Sequence, residues 1–527
     1  MDITNTLYSL ILILLLPFFV YLIINYFSVP SRGGENLPPG PWPWPIVGNI
    51  PHVLMSVIIN IPPPQTVANL SKIYGPLLSL KLGSRLVILA SSPEAAHAIL
   101  NTHDRHLSGR YIAKATPIEA GELQRFSLLW STERNSHSWK AIRDQWNDLF
   151  SSKAMDDYVK MREAKVAEML HFLKRERLGQ MVNIRDVVFT MVYNTLGNIC
   201  FSKNMVNLDD DGEKKSSEVK KTIWGLMESG TTPILADFFP VFEGFDVQGA
   251  RRRTKGCIDR LYKVWEGIIQ TRRRGESTNN DGATKHGDFL HFMLANGWSD
   301  LQIKHMLLEV FPAATGNIPT TVEWAVAELI KNEEAMKKVR QELSTVTLSE
   351  GAILELPYLN ACIKETLRLH PPIGFLPHCA QETCQVMGYT IPKDSLVIVN
   401  VWGMGHDKNI WGQDAVAFKP ERFLDTNVDF KGQDYGYLPF GAGRRMCPGF
   451  PFAAKQVHLI VAALVSSFEW SVAGNRNGGE FHHTQLDMKE AYSVPIRKEK
   501  PLSLVPNLLL SPSQNDCQDS YTSSKMH

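Results

Sequence analysis

The stretch "LPFGAGRRMCPGFPFAAKQ", residues 438–456, holds residues whose types and spacing suit chemistry. Cys447 follows a loop rich in glycine and arginine and precedes a segment that reads as a helix. A cysteine acts as nucleophile or metal ligand through its thiolate, and positive charge or a helix N-terminus lowers its pKa. Arg444, Arg445 and the helix start offer both. Gly441, Gly443 and Gly449 permit a tight loop whose backbone N–H groups can point at sulfur. The other six of the 7 cysteines are scattered without metal-ligand spacing and read as small buried hydrophobes. So few in 527 residues form no disulfide framework and fit a reducing compartment.

A second stretch, "VFPAATGNIPTTVEWA" (residues 310–325), sits between segments that read as helix, yet Pro312 and Pro319 each remove a backbone donor and tend to kink or break a helix. Gly316 and Asn317 between them are poor helix formers. A third feature is "KETLR", in which Glu365 and Arg368 stand three apart and are neighbours on a helix.

In these residues the chain resembles the cytochrome P450 haem-thiolate monooxygenases. The family's haem loop reads Phe, two residues, Gly, one, Arg, one, Cys, one, Gly, and Phe440, Gly443, Arg445, Cys447 and Gly449 stand at those places. "KETLR" matches the Glu–x–x–Arg pair, "FKPERF" brings Arg422, which locks that pair in the family, and "WKAIR" brings Trp139 and Arg143. The resemblance runs from about residue 37 to 505. It implies a mainly α fold with small β-sheets (α+β), the cytochrome P450 fold, and haem b (iron protoporphyrin IX) with Cys447 as the axial iron ligand. A thiolate in that place pushes electron density onto the iron. Trp139, Arg143, His378 and Arg445 are then the candidates at the haem carboxylates, and Glu365, Arg368 and Arg422 a buried structural triad. Electrons would come from NADPH through NADPH–cytochrome P450 reductase.

The same resemblance gives 310–325 a meaning. Plant relatives usually read Ala–Gly–Thr–Asp–Thr where this chain has Ala313, Ala314, Thr315, Gly316 and Asn317. In the family the acid and alcohol hold a water chain that carries protons to the reacting oxygen. Here the carboxylate is gone and the hydroxyl is an amide. Asn317, Thr315 and Gly316 are therefore the catalytic candidates, and the prolines free carbonyls that could hold water. Three readings stay open: hydroxylation with Asn317 and water as the relay; oxidative coupling or rearrangement; and a haem-thiolate isomerase or dehydratase that uses no oxygen. "THDRHLSGRY" (residues 102–111) and the haem-loop stretch resemble the plant branch of geraniol-type (monoterpenoid) hydroxylases and of benzylisoquinoline and tropane alkaloid oxidases, more nearly the latter. Pocket walls are expected from Phe311, Ile373, Phe375 and Tyr492, with Glu490 an exposed charge at a strand end or a partner for a substrate amine.

Other elements must carry these residues. "LYSLILILLLPFFVYLIINYF" (residues 7–27) has no charge and is long enough to span a bilayer. It lacks a signal peptide's basic start and cleavage site, so it reads as an uncleaved anchor, residues 1–27. Asp2 before it and Arg32 after it favour a cytosolic body, hence a single-pass protein of the endoplasmic reticulum membrane. Residues 28–48 form a linker and a stiff proline-rich hinge, with Pro at 38, 39, 41, 43 and 45. Residues 49–510 form the catalytic domain: a hairpin at 76–92, helices over most of 139–270 and up to 369, and short strands near 386–402. The polar tail 511–527 is expected to be disordered. Net charge is +1 and the basic clusters at 251–255 and 271–275 read as solvated helix faces, so no nucleic-acid partner is expected.

Overall fold

The computed structural model describes residues 36–59, 61–130, 137–207, 210–275, 287–472 and 486–509. The expected anchor, most of the polar loop at 274–288 and the tail lie outside the described residues.

The structure is built on the helix Asp300–Lys331, 32 residues long. Ser299 starts it: its side chain accepts from the Gln302 N–H, and the Gln302 side chain accepts from the Ser299 N–H. From Ile303 onward nearly every residue is buried, as in a helix that is apolar all round. It runs unbroken through Pro312 and Pro319. Each proline costs a helix about 3 kcal/mol and leaves the carbonyl four residues back, Leu308 or Thr315, without its usual donor. Packing on every side outweighs that cost: helices Ile184–Phe201, Ala250–Arg273, Pro357–Leu369 and Phe450–Ser467 all lie against this one. Phe450–Ser467 is the one described helix long and apolar enough to cross a membrane, and most of it is buried in this core.

The β content is small, as the pattern predicts. Leu77–Leu82 and Arg85–Ala90 form the expected hairpin, Leu396–Asn400 adds parallel to it, and Phe375–Cys379 completes four strands. A second sheet joins Val182–Asn183, Ser503–Leu508 and Phe468–Val472. The proline-rich hinge is seated on the hairpin: Ser79 N–H and Oγ donate to the carbonyls of Pro39 (2.8 Å) and Pro38 (2.7 Å). It therefore fixes the entry of the chain onto the sheet.

The helix Pro357–Leu369 carries the buried charges. Glu365 accepts from Arg368 at 2.6 and 2.7 Å, from Arg422 at 3.3 Å and from the Lys419 N–H at 2.8 Å. The two arginines then donate to backbone carbonyls: Arg368 to Gly405, Ala415 and Ala417, Arg422 to Trp411 and Asp414. Those carbonyls lie at the ends of the short helices Val401–Gly405 and Lys408–Trp411 and in the turns that follow, on the way to the Cys447 loop, so two side-chain forks hold together a path of short, broken elements.

Glu365→Ala would leave the Arg368 guanidinium buried without its carboxylate, a loss of about 3–5 kcal/mol for a broken buried pair. The urea unfolding midpoint is expected to fall accordingly. Lys255→Ala, which breaks an exposed pair with Asp259, should leave it unchanged.

Candidate active site

Two glycines shape the cysteine loop. Gly441 (φ 72°) and Gly443 (φ 66°) adopt the left-handed conformation, and a Cβ on Gly443 would run into the Leu100 carbonyl. Gly449 has an ordinary φ of −84°; its N–H, with that of Phe450, hydrogen-bonds the Cys447 sulfur. The Cys447 N–H donates to the Phe440 carbonyl at 3.0 Å. Phe440 also packs edge-on against Phe430 and Phe450, ring centres 5.8 and 5.2 Å away. Cys447 reaches free space, but that space is interior: protein encloses the sulfur closely enough that burial pushes its thiol up, against the pull of the two N–H groups and of Arg143. The expected cations are therefore reassigned. Arg444 turns away to Asp104 at 3.0 Å, Arg445 donates to Ser108 and Leu128 carbonyls at 3.0 and 2.8 Å, and Arg143, donating to the Met446 carbonyl at 3.0 Å, is the cation felt at sulfur. Among the described residues no cluster of three His, Cys, Asp or Glu could hold a metal ion. A metal at Cys447 thus needs a carrier that brings its other ligands.

Positive charge gathers on one side of this loop. Arg445 lies over the Trp139 ring at 4.8 Å, and Trp139 Nε1 donates to the Leu128 carbonyl at 3.2 Å. Burial and the charges of Arg110 and Arg445 hold His378 neutral. Its Nδ1 meets the Leu107 carbonyl at 3.1 Å and so carries the proton. Arg110 was not anticipated. It is half-buried, donates to the Pro377 carbonyl, and has no carboxylate within ion-pair reach among the described residues. Two guanidiniums and a neutral imidazole brought together in the interior call for bound carboxylates. An open recess of about 770 Å³, lined by Arg110 with Arg85, Lys114 and Glu243, adjoins this edge but includes neither Cys447 nor Asn317.

The long helix has one open face. Ala313 is exposed, and Ala314 and Asn317 partly so, in the middle of an otherwise buried element. At about 100° per residue these three positions share a side. Asn317 Oδ1 is buried with no hydrogen-bond partner among the described residues. Thr315 is on the opposite side, its hydroxyl committed to the Phe311 carbonyl at 2.6 Å, which removes it from the catalytic candidates. Thr320 and Thr321 likewise donate to the Gly316 and Asn317 carbonyls at 2.8 and 3.0 Å. A lone thiol, an open helix face with an unpartnered amide oxygen, and a buried cationic edge together fit a flat metal carrier with carboxylate arms, which is haem.

Several expected pocket walls move. Phe311 points into the core among Tyr193, Phe201 and Trp265, at 5.4, 6.0 and 5.6 Å. Phe375 packs on the outer face of the sheet, and strand alternation turns Leu376 to the cysteine loop instead, near Gly441. Tyr492 donates to Glu490 at 2.7 Å. Glu490, expected at the surface, is buried and also accepts from Trp402 at 2.9 Å and pairs with His370 at 2.7 Å, so it is not available to a substrate amine. Ile373 is half-buried beside Gly374, on which Ile496 packs.

A residue with no expected role ties the site together. Glu309, one turn before Ala313, accepts from Ser127 Oγ and from the N–H groups of Leu128 and Leu129 at 3.1 Å each. The Leu128 carbonyl in turn receives Arg445 and Trp139. The signal was a single acid in the apolar run "MLLEVF". Burial pushes its carboxyl up to about 7, against the pull of those donors and of Arg445.

The folded protein therefore holds the Glu309 proton more tightly than the unfolded chain does. The cost of ionising it in place grows as pH rises from the ordinary value of 4.5 to about 7 and is constant above, to an upper bound of about 3 kcal/mol. Glu309→Gln has no such titration. Its melting temperature relative to the native chain should rise from pH 5 to about pH 7 and level off above, and a pH-independent difference would contradict this account.

Comparison with known proteins agrees with this geometry. A profile of the family described as Cytochrome P450 matches residues 38–490. The chain is 40% identical over 494 residues to (S)-N-methylcoclaurine 3'-hydroxylase isozyme 1 of Papaver somniferum, covering 93% of this chain and 97% of that protein. It is 38% identical to Corytuberine synthase of Coptis japonica (96% and 99% covered) and 35% identical to Geraniol 8-hydroxylase of Catharanthus roseus (94% and 99% covered). The chain belongs to the cytochrome P450 family of haem monooxygenases.

Proposed function

We propose that this monooxygenase is a membrane-anchored enzyme of plant specialised metabolism that oxidises an apolar, alkaloid-like substrate with dioxygen and electrons passed from NADPH through NADPH–cytochrome P450 reductase. The observation that carries the reading is that the fold leaves both the Cys447 thiol and the helix face at Ala313 and Asn317 uncovered. Relatives named as an N-methylcoclaurine hydroxylase and a corytuberine synthase support the substrate class.

Bound haem supplies the one-electron and dioxygen chemistry. The chain's own groups do the rest. Cys447 would hold the haem iron, and a metal on a thiol removes its proton outright, reversing the effect of burial. Arg110, Arg143 and Arg445, with Trp139 beside them, would hold the haem carboxylates. A carboxylate between Arg110 and Arg445 would also offset the charge that keeps His378 neutral. Asn317 has no titratable proton. Its Oδ1 accepts from water and its Nδ2 donates, so it would position water that brings protons from elsewhere. With no carboxylate at Gly316, oxidative coupling or rearrangement stands beside hydroxylation as the outcome.

We assign residues 1–27 to the anchor, 28–48 to the linker and hinge, 49–510 to the catalytic domain and 511–527 to a disordered tail, with the catalytic domain on the cytosolic side of the endoplasmic reticulum. Exposed apolar residues support a membrane-facing end: Trp42, Trp44, Met55 and Ile58 beside the hinge, Phe245 and Val247 beyond it in sequence. The hairpin turn links the two groups, Gly83 N–H donating to Val47 and Ser84 N–H to Phe238, at 3.1 and 2.9 Å.

Cys447→Ala is expected to abolish the thiolate-type carbon monoxide band of the reduced protein, and Cys379→Ala to retain it; the reverse result would overturn the ligand assignment. Asn317→Ala should raise NADPH consumed per product and release more hydrogen peroxide, with the chemical step slowed about 100-fold. Unchanged rate and coupling would reduce Asn317 to a shape-setting role. Product analysis on a panel of amine-containing phenols, with reductase and NADPH present and absent, separates hydroxylation, coupling and oxygen-independent chemistry.

A further inference from the structure

Gly316 carries no side chain, and the reason lies in another element. A Cβ there would come 2.7 Å from Met227 Cε and 2.8 Å from Met227 Sδ, with Pro495 Cδ at 3.7 Å. Met227 belongs to the helix Asp210–Thr231, which packs against Asp300–Lys331. Its place is fixed from both sides. Three residues earlier, the Trp224 ring receives the guanidiniums of Arg497 at 4.9 Å and Arg185 at 5.7 Å. Two residues later, Thr254 Oγ1 donates to Ser229 Oγ at 2.9 Å. Arg497 follows Pro495 in the same segment, so one stretch of chain meets both Trp224 and the space over Gly316.

On the long helix Gly316 stands about 60° from Ala313 to one side, and Asn317 about 40° to the other. The Met227 thioether thus walls the open face at its Gly316 edge, next to the unpartnered Asn317 amide. A thioether is apolar and flexible enough to fill an irregular gap, and it keeps water off that edge.

We propose that Met227 is a specificity-determining residue of the reaction chamber: its thioether occupies the volume of a side chain at position 316 and so sets the space beside Asn317 open to substrate and water. This rests on the haem-thiolate reading above. A side chain at 316 and the native pose of Met227 exclude one another. A substitution at Gly316 pushes the thioether aside, and truncating Met227 opens the chamber on the side of the helix Asp210–Thr231.

The test uses the haem-loaded full chain and two probes of different size, imidazole and 4-phenylimidazole, each titrated by its shift of the ferric Soret band. The ratio of their dissociation constants reads the room over the iron and needs no turnover. Met227→Ala should tighten 4-phenylimidazole relative to imidazole by about tenfold, the worth of burying part of a phenyl ring. Gly316→Ala should move the ratio the other way, and the double variant should return it toward the native value. Met227→Leu, which keeps an apolar side chain and the fold, should give a smaller shift of the same sign as Met227→Ala. Ratios within twofold of native in Met227→Ala and Met227→Leu would overturn the proposal, as would Gly316→Ala effects that persist in full without Met227. The reduced carbon monoxide band is recorded for every protein. Its absence from the native chain would defeat the haem-thiolate reading itself, whereas its presence with unchanged ratios defeats only the role of Met227.

Discussion

Glu365 is a carboxylate with no water to solvate it, and the answer to that constraint organises the path to the active cysteine. A buried charge persists where it is paired and fully hydrogen-bonded. Arg368 and Arg422 supply the pairing, and their remaining donors reach carbonyls between Gly405 and Ala417. The chain from 405 to 424 is cut into short helical pieces, Lys408–Trp411 and Pro420–Phe423, whose ends and connecting turns leave backbone acceptors that need partners from outside. The two arginines meet that need and neutralise Glu365 at once. Downstream, Tyr437 continues the attachment, its hydroxyl donating to the Lys364 carbonyl at 2.9 Å, immediately before the cysteine loop.

The reaction chamber is a second consequence of burial. The long helix is surrounded by other helices nearly everywhere, which is why it survives two internal prolines. Where it is not covered, small side chains and an amide remain: Ala313, Ala314 and Asn317. The open stretch is bordered by contacts from elsewhere, Met227 over the buried Gly316 and the Glu309 clamp one turn before Ala313. The clamp joins the open face of the long helix to the cationic side, because the Leu128 unit that donates to Glu309 also accepts from Arg445 and Trp139. A change of charge on Glu309 is therefore felt at both sides.

A second buried network carries no reaction. His370 lies between Glu328 and Glu490, at 2.9 and 2.7 Å, and stacks on Trp324 at 3.8 Å. The flanking carboxylates raise its pKa against the effect of burial. It binds the long helix, the end of Pro357–Leu369 and the strand at Glu490 into one unit. Pro372 and Ile496, joined by a 2.8 Å hydrogen bond, are thereby held beside the chamber.

The sequence by itself determined the family, the mainly helical architecture with its hairpin, and the identity of the cysteine loop, because those depend on local spacing. Glycines at 441 and 443 are needed wherever the loop is placed, and Glu365 and Arg368 meet through helix periodicity alone. Tertiary structure decided what spacing leaves open, namely the direction each side chain takes. Thr315 and Asn317 are two residues apart, yet one faces its own helix backbone and the other the chamber. Phe311 and Phe375 are apolar and near the site in sequence, and both point away from it. Glu490 is a strand-end acid whose partners come from residues 370 and 402. Arg110, Glu309 and Met227 gain their roles from chain segments far away in sequence. Such contacts have no period to read, because burial chooses partners by shape and charge across the fold.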